Sequence, residues 1–421
     1  MIGLIVVSSK VGKQEEIGKK LIKKVSVLER KNKNLKLLGL INDTKLAKKF
    51  SCKVKDKVSG CIIVVATGGT EKIIRAISSR LKKPTLLWAN PFNNSLPSAL
   101  EAFSKLKDKF PVKILYSTIN DKAFSKIESF IKVCEAIEKL KKYSIGCLGK
   151  PTKWPLTTKN KRLIKKLGPS ITLLKLEELI EESKKVENKE VEKFCTLLRK
   201  KFKRREVREK DFISAVKIYL ATKKLSLKHK TNVLAVKCFD LLSYGCTLCL
   251  ANSLCNDEGL IVGCEADLQA TLTMIIVYLL TQKPCWMANL CRIDMEKNTI
   301  TLAHCTVPTG LISNLNKASL TSHMESGKYV AIRGPLQKKE VTLVRLGGDL
   351  NKMLIGRGKI VKSNMKDPNL CRTQVEIKLK GEVEELIDTS LGNHIILTYG
   401  NLKQELIDFC RFKNIEPIVV S

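Results

Sequence analysis

Short apolar runs alternate with amphipathic stretches through the first third of the chain. MIGLIVVSS precedes KQEEIGKKLIKKV, CIIVVA passes through TGGT into EKIIRAISSRL, and PTLLWA and VKILYS each precede another segment of helical period. Apolar runs bounded by turn signals and separated by amphipathic helices are the pattern of parallel strands covered by helices. The alternation predicts an open α/β domain over 1–142. SIGCLGKPTKWP opens a second such segment, continued to residue 288 by ITLLKLEELI, a long basic helical stretch, NVLAVKCFDLL and GLIVGCEADL. Beyond it the period changes. NTITLAHC, KYVAIRGPL, EVTLVRLG, KMLIGRGKIV, TQVEIKL and HIILTYG are short, rich in Val, Ile and Thr, and punctuated by turn residues, which predicts a β-barrel over 289–421 with LKQELIDFCRF as a closing helix. The expected fold class is therefore α/β plus β: two open α/β domains with parallel sheets, then a C-terminal β-barrel domain.

Composition narrows the picture. With 421 residues, 44% of them hydrophobic, the chain has material for more than one core. Its longest apolar stretch, from Ala270 to Thr281, falls short of the roughly 20 residues that span a bilayer, so it reads as a core helix and no membrane partner is expected. MIGLIVVSSK lacks a basic region and a small-residue cleavage pattern, so it reads as a first strand of a cytoplasmic protein. The 15 cysteines are scattered through apolar segments and read as buried thiols; CTLC at 246–249 is the one C-x-x-C and lacks the second pair a zinc site needs. A net charge of +36 raises nucleic acid as a partner, yet the charge decorates nearly every amphipathic segment. Only RKKFKRREVREK at 199–210 is dense, and Glu206 and Glu209 within it suit an exposed helix. Aromatic residues at 5% offer few stacking platforms, so nucleic acid is not the expected partner.

Candidate chemistry gathers late in the chain. GCEADLQATLTM sets Glu265 and Asp267 between an apolar run and an apolar helix, at a strand's carboxyl end, where open α/β sheets bind ligands. Of 4 histidines, His304, His323 and His394 all lie downstream of these acids, His304 and His394 at strand ends. A carboxylate meeting imidazoles at a domain junction suits an oxygen-rich site for Mn²⁺ or another divalent cation. TGGT and WANPFNN also lie at strand ends and fit an anion or a hydroxyl-rich ligand. They equally fit a tight turn with Thr70 as helix N-cap and an ordinary Asn-rich turn.

GCEADLQATLTM, then CWMANL, LAHCTVP and GNHIILTYG, in that order and spacing, resembles the L-fucose isomerase and L-arabinose isomerase superfamily. LWANPFNNSLPSALEA, LGKPTKWP, VKCFDLL and LCRTQVEIKL are similar to its compact archaeal, fucose-isomerase-like group, so the resemblance runs the length of the chain. It implies aldose–ketose isomerisation of a small-molecule sugar through an ene-diol, with Mn²⁺ as cofactor. It also implies a homo-oligomer, a hexamer or trimer, whose site lies near a subunit interface. By residue, the resemblance places Glu265 as catalytic carboxylate and ligand, Asp267 in an orienting role, and His394 and His304 as ligands. Trp88, Asn393, His323 and Arg372 become sugar-contact candidates, Trp88 as a cover and Arg372 for an anionic group.

One position departs from the pattern: the superfamily's second carboxylate falls on Asn289. An amide oxygen can face a metal, but asparagine carries no charge and is no base at neutral pH. General acid–base assistance is worth about 10² to 10⁴ in rate, so losing it without a substitute matters. Either Glu265 works with Asp267, a histidine or water, or the protein is a sugar-binding or regulatory relative without isomerase activity.

Overall fold

The computed structural model describes residues 1–151 and 153–420. They form 2 compact units, Met1–Glu138 with Gln404–Ile415, and Lys139–Lys403 with the chain's last strand.

The first unit is a parallel sheet of 5 strands in the order Leu35–Ile41, Ile2–Val7, Gly60–Val65, Thr85–Ala89, Val112–Tyr116. Strands Ile2–Val7 and Gly60–Val65 are buried along their whole length because helices cover both faces, which explains their unbroken apolar runs. Leu35–Ile41 has no such signature. It is an edge strand with only its two ends buried, so its composition reads as half-exposed. The helix Lys403–Lys413 carries buried Leu406, Phe409 and Cys410; all but its first residue belongs to this unit, where Phe412 meets Phe130 edge-on and Lys113 pairs with buried Asp408. TGGT is a self-contained turn. Thr70 does not cap its helix by its side chain; its hydroxyl bonds Thr67 O and Ser98, and its N–H donates to Ser98 Oγ.

The second unit holds a parallel sheet of 4 strands in the order Ile261–Gly263, Val233–Val236, Ser144–Leu148, Ser170–Leu174. A closed antiparallel barrel of 6 strands follows: Glu340–Gly347, His394–Tyr399, Trp286–Asp294, Thr299–His304, Thr373–Leu379 and Lys352–Ser363, the last pairing back to the first. The two α/β sheets and the C-terminal barrel are the expected fold class. Sheet and barrel share one apolar core, with Leu148, Leu234 and Val262 in the same cluster as Trp286, Leu302 and Ile395.

Two expectations are corrected. KYVAIRGPL is not a barrel strand. Tyr329–Arg333 pairs with Ser319–Ser322, which in turn pairs with Arg204–Arg205, as a separate sheet of 3 strands. RKKFKRREVREK is not one exposed helix either. Helix Asn188–Lys201 stops at Phe202, whose ring is fully buried, the chain runs extended through Arg204–Arg205, and helix Glu209–Lys228 begins afterwards. Burying one large apolar side chain amid exposed lysines and arginines outweighs the modest helical preference of the basic residues.

Candidate active site

The strand Ile261–Gly263 turns into the helix Leu268–Thr281 within four residues. Glu265 and Ala266 both adopt the left-handed conformation, at φ 55° and 48°. Such a conformation costs a non-glycine residue on the order of 1–3 kcal/mol, and it persists where the surroundings over-determine it. Here Glu265 N–H points at Cys238 Sγ at 3.3 Å and Ala266 N–H donates to Val236 O at 2.9 Å. The helix also packs tightly on its own strand. A β-carbon on Gly263 would stand 2.1 Å from Thr271 Oγ1, so only glycine fits there.

Asp267 closes the turn as the N-cap of the apolar helix and accepts from Ala270 N–H at 2.9 Å. Its other oxygen receives Arg345 Nη1 at 2.9 Å and His394 Nδ1 at 2.8 Å. All three side chains are buried. Burial alone would raise the Asp267 carboxyl, but the bond from His394 and the Arg345 charge outweigh it and hold it well below the ordinary carboxylate range. Burial likewise opposes charge on His394, yet its contacts with Asp267 and Glu265 win and raise its affinity for a proton.

With Nδ1 committed to Asp267, the His394 ring presents Nε2 to Glu265 Oε1 at 3.3 Å. That Nε2 is buried and makes no hydrogen bond. Two acceptors facing each other at this distance call for a proton or a cation between them. Glu265 Oε2 receives the ammonium of Lys153 at 2.8 Å. The neighbouring imidazole, with Lys153 behind it, pulls the Glu265 carboxyl down to about 2 against the effect of partial burial. Lys153 also donates to Asn393 Oδ1 at 3.1 Å, and Asn393 donates to Asn289 Oδ1 at 2.9 Å. Asn289 lies opposite His394 in the barrel register and closes the circuit. Lys153, Cys238 and Glu265 come from the loops after three parallel strands, where such sheets bind ligands.

Glu265, Asp267, Asn289, Asn393 and His394 are thus joined by direct contacts or adjacent pairing. His304 is buried beside them, its ring 5.9 Å from that of His394; burial and the His394 charge push it down to about 3, so it is a neutral imidazole. His323 is farther out. It is buried, bonded through Nδ1 to Ser326 at 3.0 Å and edge-on to Phe239. Arg372 spends two of its donors on Ser322, on the backbone oxygen and the hydroxyl, both at 2.9 Å. Trp88 does not serve as a cover. It is 1% exposed in the core of the first unit, with its indole N–H on Ser117 O, because the strand Thr85–Ala89 is central and buried on both faces. The exposed aromatic of that motif is Phe92, which with Lys20, Lys24, Asn90 and Asn93 lines a cavity of about 630 Å³ at the sheet's carboxyl end.

Sequence reasoning missed Arg345 and Lys153. Arg345 left a trace, because in EVTLVRLG it falls on the same strand parity as Val341 and Leu343, where an exposed arginine has no place. Lys153 left only its place in the LGKPTKWP motif, with no chemical mark to set it apart among 77 lysines and arginines.

The donor chemistry fits a divalent cation in part. Glu265 Oε1 and the unpartnered His394 Nε2 are the two donors that could face one ion, and the Asp267 bond to the far ring nitrogen is the kind of support a metal-binding histidine has. Among the described residues, however, no group of three or more His, Cys, Asp and Glu side chains stands close enough to share one ion. Further positions would fall to ligand oxygens, water or the Asn289 amide, as hard cations accept.

No family model matches the chain. It is similar to sulfoquinovose isomerases from Priestia aryabhattai and Priestia megaterium, each 26% identical over 208 residues, which is 47% of this chain and 46% of the relative. A sulfoquinovose isomerase from Alkalicoccus urumqiensis is 25% identical over 218 residues, 49% of this chain and 47% of its own. The chain thus spans about half the length of the curated relatives it matches. Among the described residues no helix is long and apolar enough to cross a membrane.

Proposed function

We propose that this protein is an aldose–ketose isomerase acting on a monosaccharide at the Glu265–His394–Asn289 site. The observation that carries the reading is the meeting of Glu265 with His394 at the open end of a parallel strand, the imidazole being fixed from behind by Asp267 and Arg345. The similarity to sulfoquinovose isomerases, which act on a sugar bearing a sulfonate, makes sulfoquinovose the first substrate to try; L-fucose and related pentoses and hexoses follow from the motif resemblance.

Isomerisation moves a proton between adjacent carbons, so the site needs a base that is free of its proton at neutral pH. Glu265 meets that condition. In the resting circuit it is a weak base, because His394 and Lys153 stabilise its charge; a sugar that loosens these contacts raises its proton affinity toward the useful range. Asp267 and Arg345 keep the His394 ring in one tautomer and one orientation. Asn289 and Asn393 offer amide groups to the sugar hydroxyls. A divalent cation such as Mn²⁺, held by Glu265 and His394, would polarise the carbonyl and hydroxyl oxygens of the substrate when bound.

The test is exchange of the C2 hydrogen. Purified protein supplied with Mn²⁺ is incubated in D₂O with sulfoquinovose, L-fucose, L-arabinose and their ketoses, and followed by NMR. Exchange and ketose formation that vanish in Glu265→Gln support the reading; a panel left unchanged overturns it. A second reading rests on Asn289, whose amide oxygen is already engaged by Asn393 in a site with no second free carboxylate. If the wild type binds a sugar without converting it and Asn289→Asp converts it, the protein is a binding or regulatory relative.

A further inference from the structure

Two thiols that the isomerase reading leaves unused meet at one end of the barrel. The strand Thr299–His304 pairs with Thr373–Leu379 up to the match of His304 with Thr373. Cys305 follows directly on the first strand, and Cys371 stands just before the second, in irregular chain. Although 66 positions separate them in sequence, the Cys305 thiol donates to Cys371 Sγ at 3.5 Å. A disulfide needs its sulfurs at about 2.05 Å, so about 1.5 Å remains to be closed, and Cys371, outside the strand, is the side that can yield. Access to the two is unequal. Cys305 is 6% exposed and packed with Cys249 and Ala331, whereas Cys371 is partly open to solvent. Among the described residues no third ligating side chain joins them to make a metal site, so the pair suits redox chemistry.

We propose that Cys305 and Cys371 are a peroxide-oxidisable pair whose reversible disulfide staples the His304 end of the barrel. A small oxidant arriving from solvent meets Cys371 first and finds Cys305 directly behind it, the arrangement of a reacting thiol and a resolving one. In the first step the Cys371 sulfur attacks one oxygen of hydrogen peroxide; the O–O bond breaks, water leaves, and Cys371 becomes a sulfenic acid. In the second the Cys305 sulfur attacks that of Cys371; the S–S bond forms, the S–O bond breaks, and the departing hydroxide takes the Cys305 proton as a second water. The two thiols lose two electrons and two protons, the peroxide gains them, and a dithiol reductant reverses the change. The bond ties the strand end carrying His304 to the segment carrying Arg372, whose guanidinium holds Ser322 beside His323. It also closes a long loop in the unfolded chain, so oxidation raises the midpoint of thermal unfolding by at least about 4 °C. Neither the bond nor its readout needs a sugar, so the inference stands apart from the isomerase reading.

The experiment treats the reduced, native full chain with a small excess of hydrogen peroxide, alkylates the remaining thiols in denaturant, and maps the unreduced peptides by mass spectrometry. Cys52→Ser serves as the background, because it removes the exposed thiol that can link one molecule to another. The expected result is a linked peptide pair joining Cys305 to Cys371, lost on adding dithiothreitol, with the rise in melting midpoint present only in the oxidised form. Cys371→Ser in the same background abolishes both the link and the rise. Cys305→Ser removes the resolving thiol, so peroxide leaves Cys371 as a sulfenic acid that dimedone traps. A map in which Cys305 and Cys371 are both alkylated after peroxide overturns the inference, as does Cys371 linked to a different cysteine. A Cys305–Cys371 link with an unchanged midpoint overturns the staple.

Discussion

Replacing Asp267 by asparagine removes a single charge from a site where it has two dependants. Asparagine is as good an N-cap as aspartate, so the bond to Ala270 N–H survives and the helix Leu268–Thr281 keeps its start. What is lost is the partner of Arg345, whose side chain is 4% exposed against 2% for Asp267. Orphaning one member of a buried ion pair costs about 3–5 kcal/mol, because the remaining charge sits desolvated and unpaired. With its one oxygen kept at the cap, the asparagine turns an NH2 toward the Arg345 and His394 donors and leaves them no acceptor, so the expected loss is at least about 3 kcal/mol. For a unit of this size that lowers the midpoint of thermal unfolding by on the order of 6–10 °C. Circular dichroism melts of the wild type and Asp267→Asn read it directly. Adding Arg345→Met should recover half or more of the loss, since the double variant leaves no stranded charge. A loss below about 1 kcal/mol, the range of an exposed ion pair, would show that water reaches the pair, and the account of how His394 is held would fail with it.

The same cluster predicts a pH profile for the metal-free protein. Asp267 titrates below its unfolded value, so its contribution is present above about pH 4 and fades as pH falls through the folded value. His394 titrates above its unfolded value, so its contribution is complete below about pH 6.5 and fades as pH rises through the folded one. Denaturant midpoints from acid to alkaline pH should therefore show the cluster contributing most between those limits, and His394→Gln should flatten the alkaline arm; an unchanged arm refutes the assignment. Gly263→Ala, with its β-carbon 2.1 Å from Thr271 Oγ1, should cost about 1–3 kcal/mol in denaturant unfolding, and Thr271→Ala in the same chain should relieve part of it. Cys52 is exposed and the other cysteines are buried or partly so, so native protein treated with a thiol reagent should label at Cys52 first, while burial pushes Cys285 up to about 12 and keeps it unreactive until unfolding. Prompt labelling of Cys285 under native conditions would contradict its burial.

How much was legible follows from the range of each signal. The strand–helix alternation up to GLIVGCEADL marks the parallel sheets because a buried strand must be apolar on both faces, and that rule is local. The edge strand Leu35–Ile41 escaped it because solvent on one side relaxes the demand. KYVAIRGPL reads like its barrel neighbours, since a short Val/Ile strand looks the same whichever sheet accepts it. Glu265 and Asp267 stood out in sequence because two acids at an apolar strand–helix junction need a reason. The resemblance gave Glu265 the catalytic and Asp267 the orienting role; what the sequence did not show is which carboxylate meets Arg345 and which meets Lys153, partners far along the chain.

The amino-acid order by itself determined the fold class and the neighbourhood of the chemistry, through periodicity and the placement of rare groups among apolar ones. Only the tertiary structure decided that Trp88 is core, that Arg345 supports the histidine, and that a lysine from a loop occupies the carboxylate of Glu265. The physical reason is that burial patterns repeat along a strand or helix and can be read from neighbours, whereas charge pairing is settled by the closure of a sheet and a barrel that bring together residues separated by 78 and 112 positions.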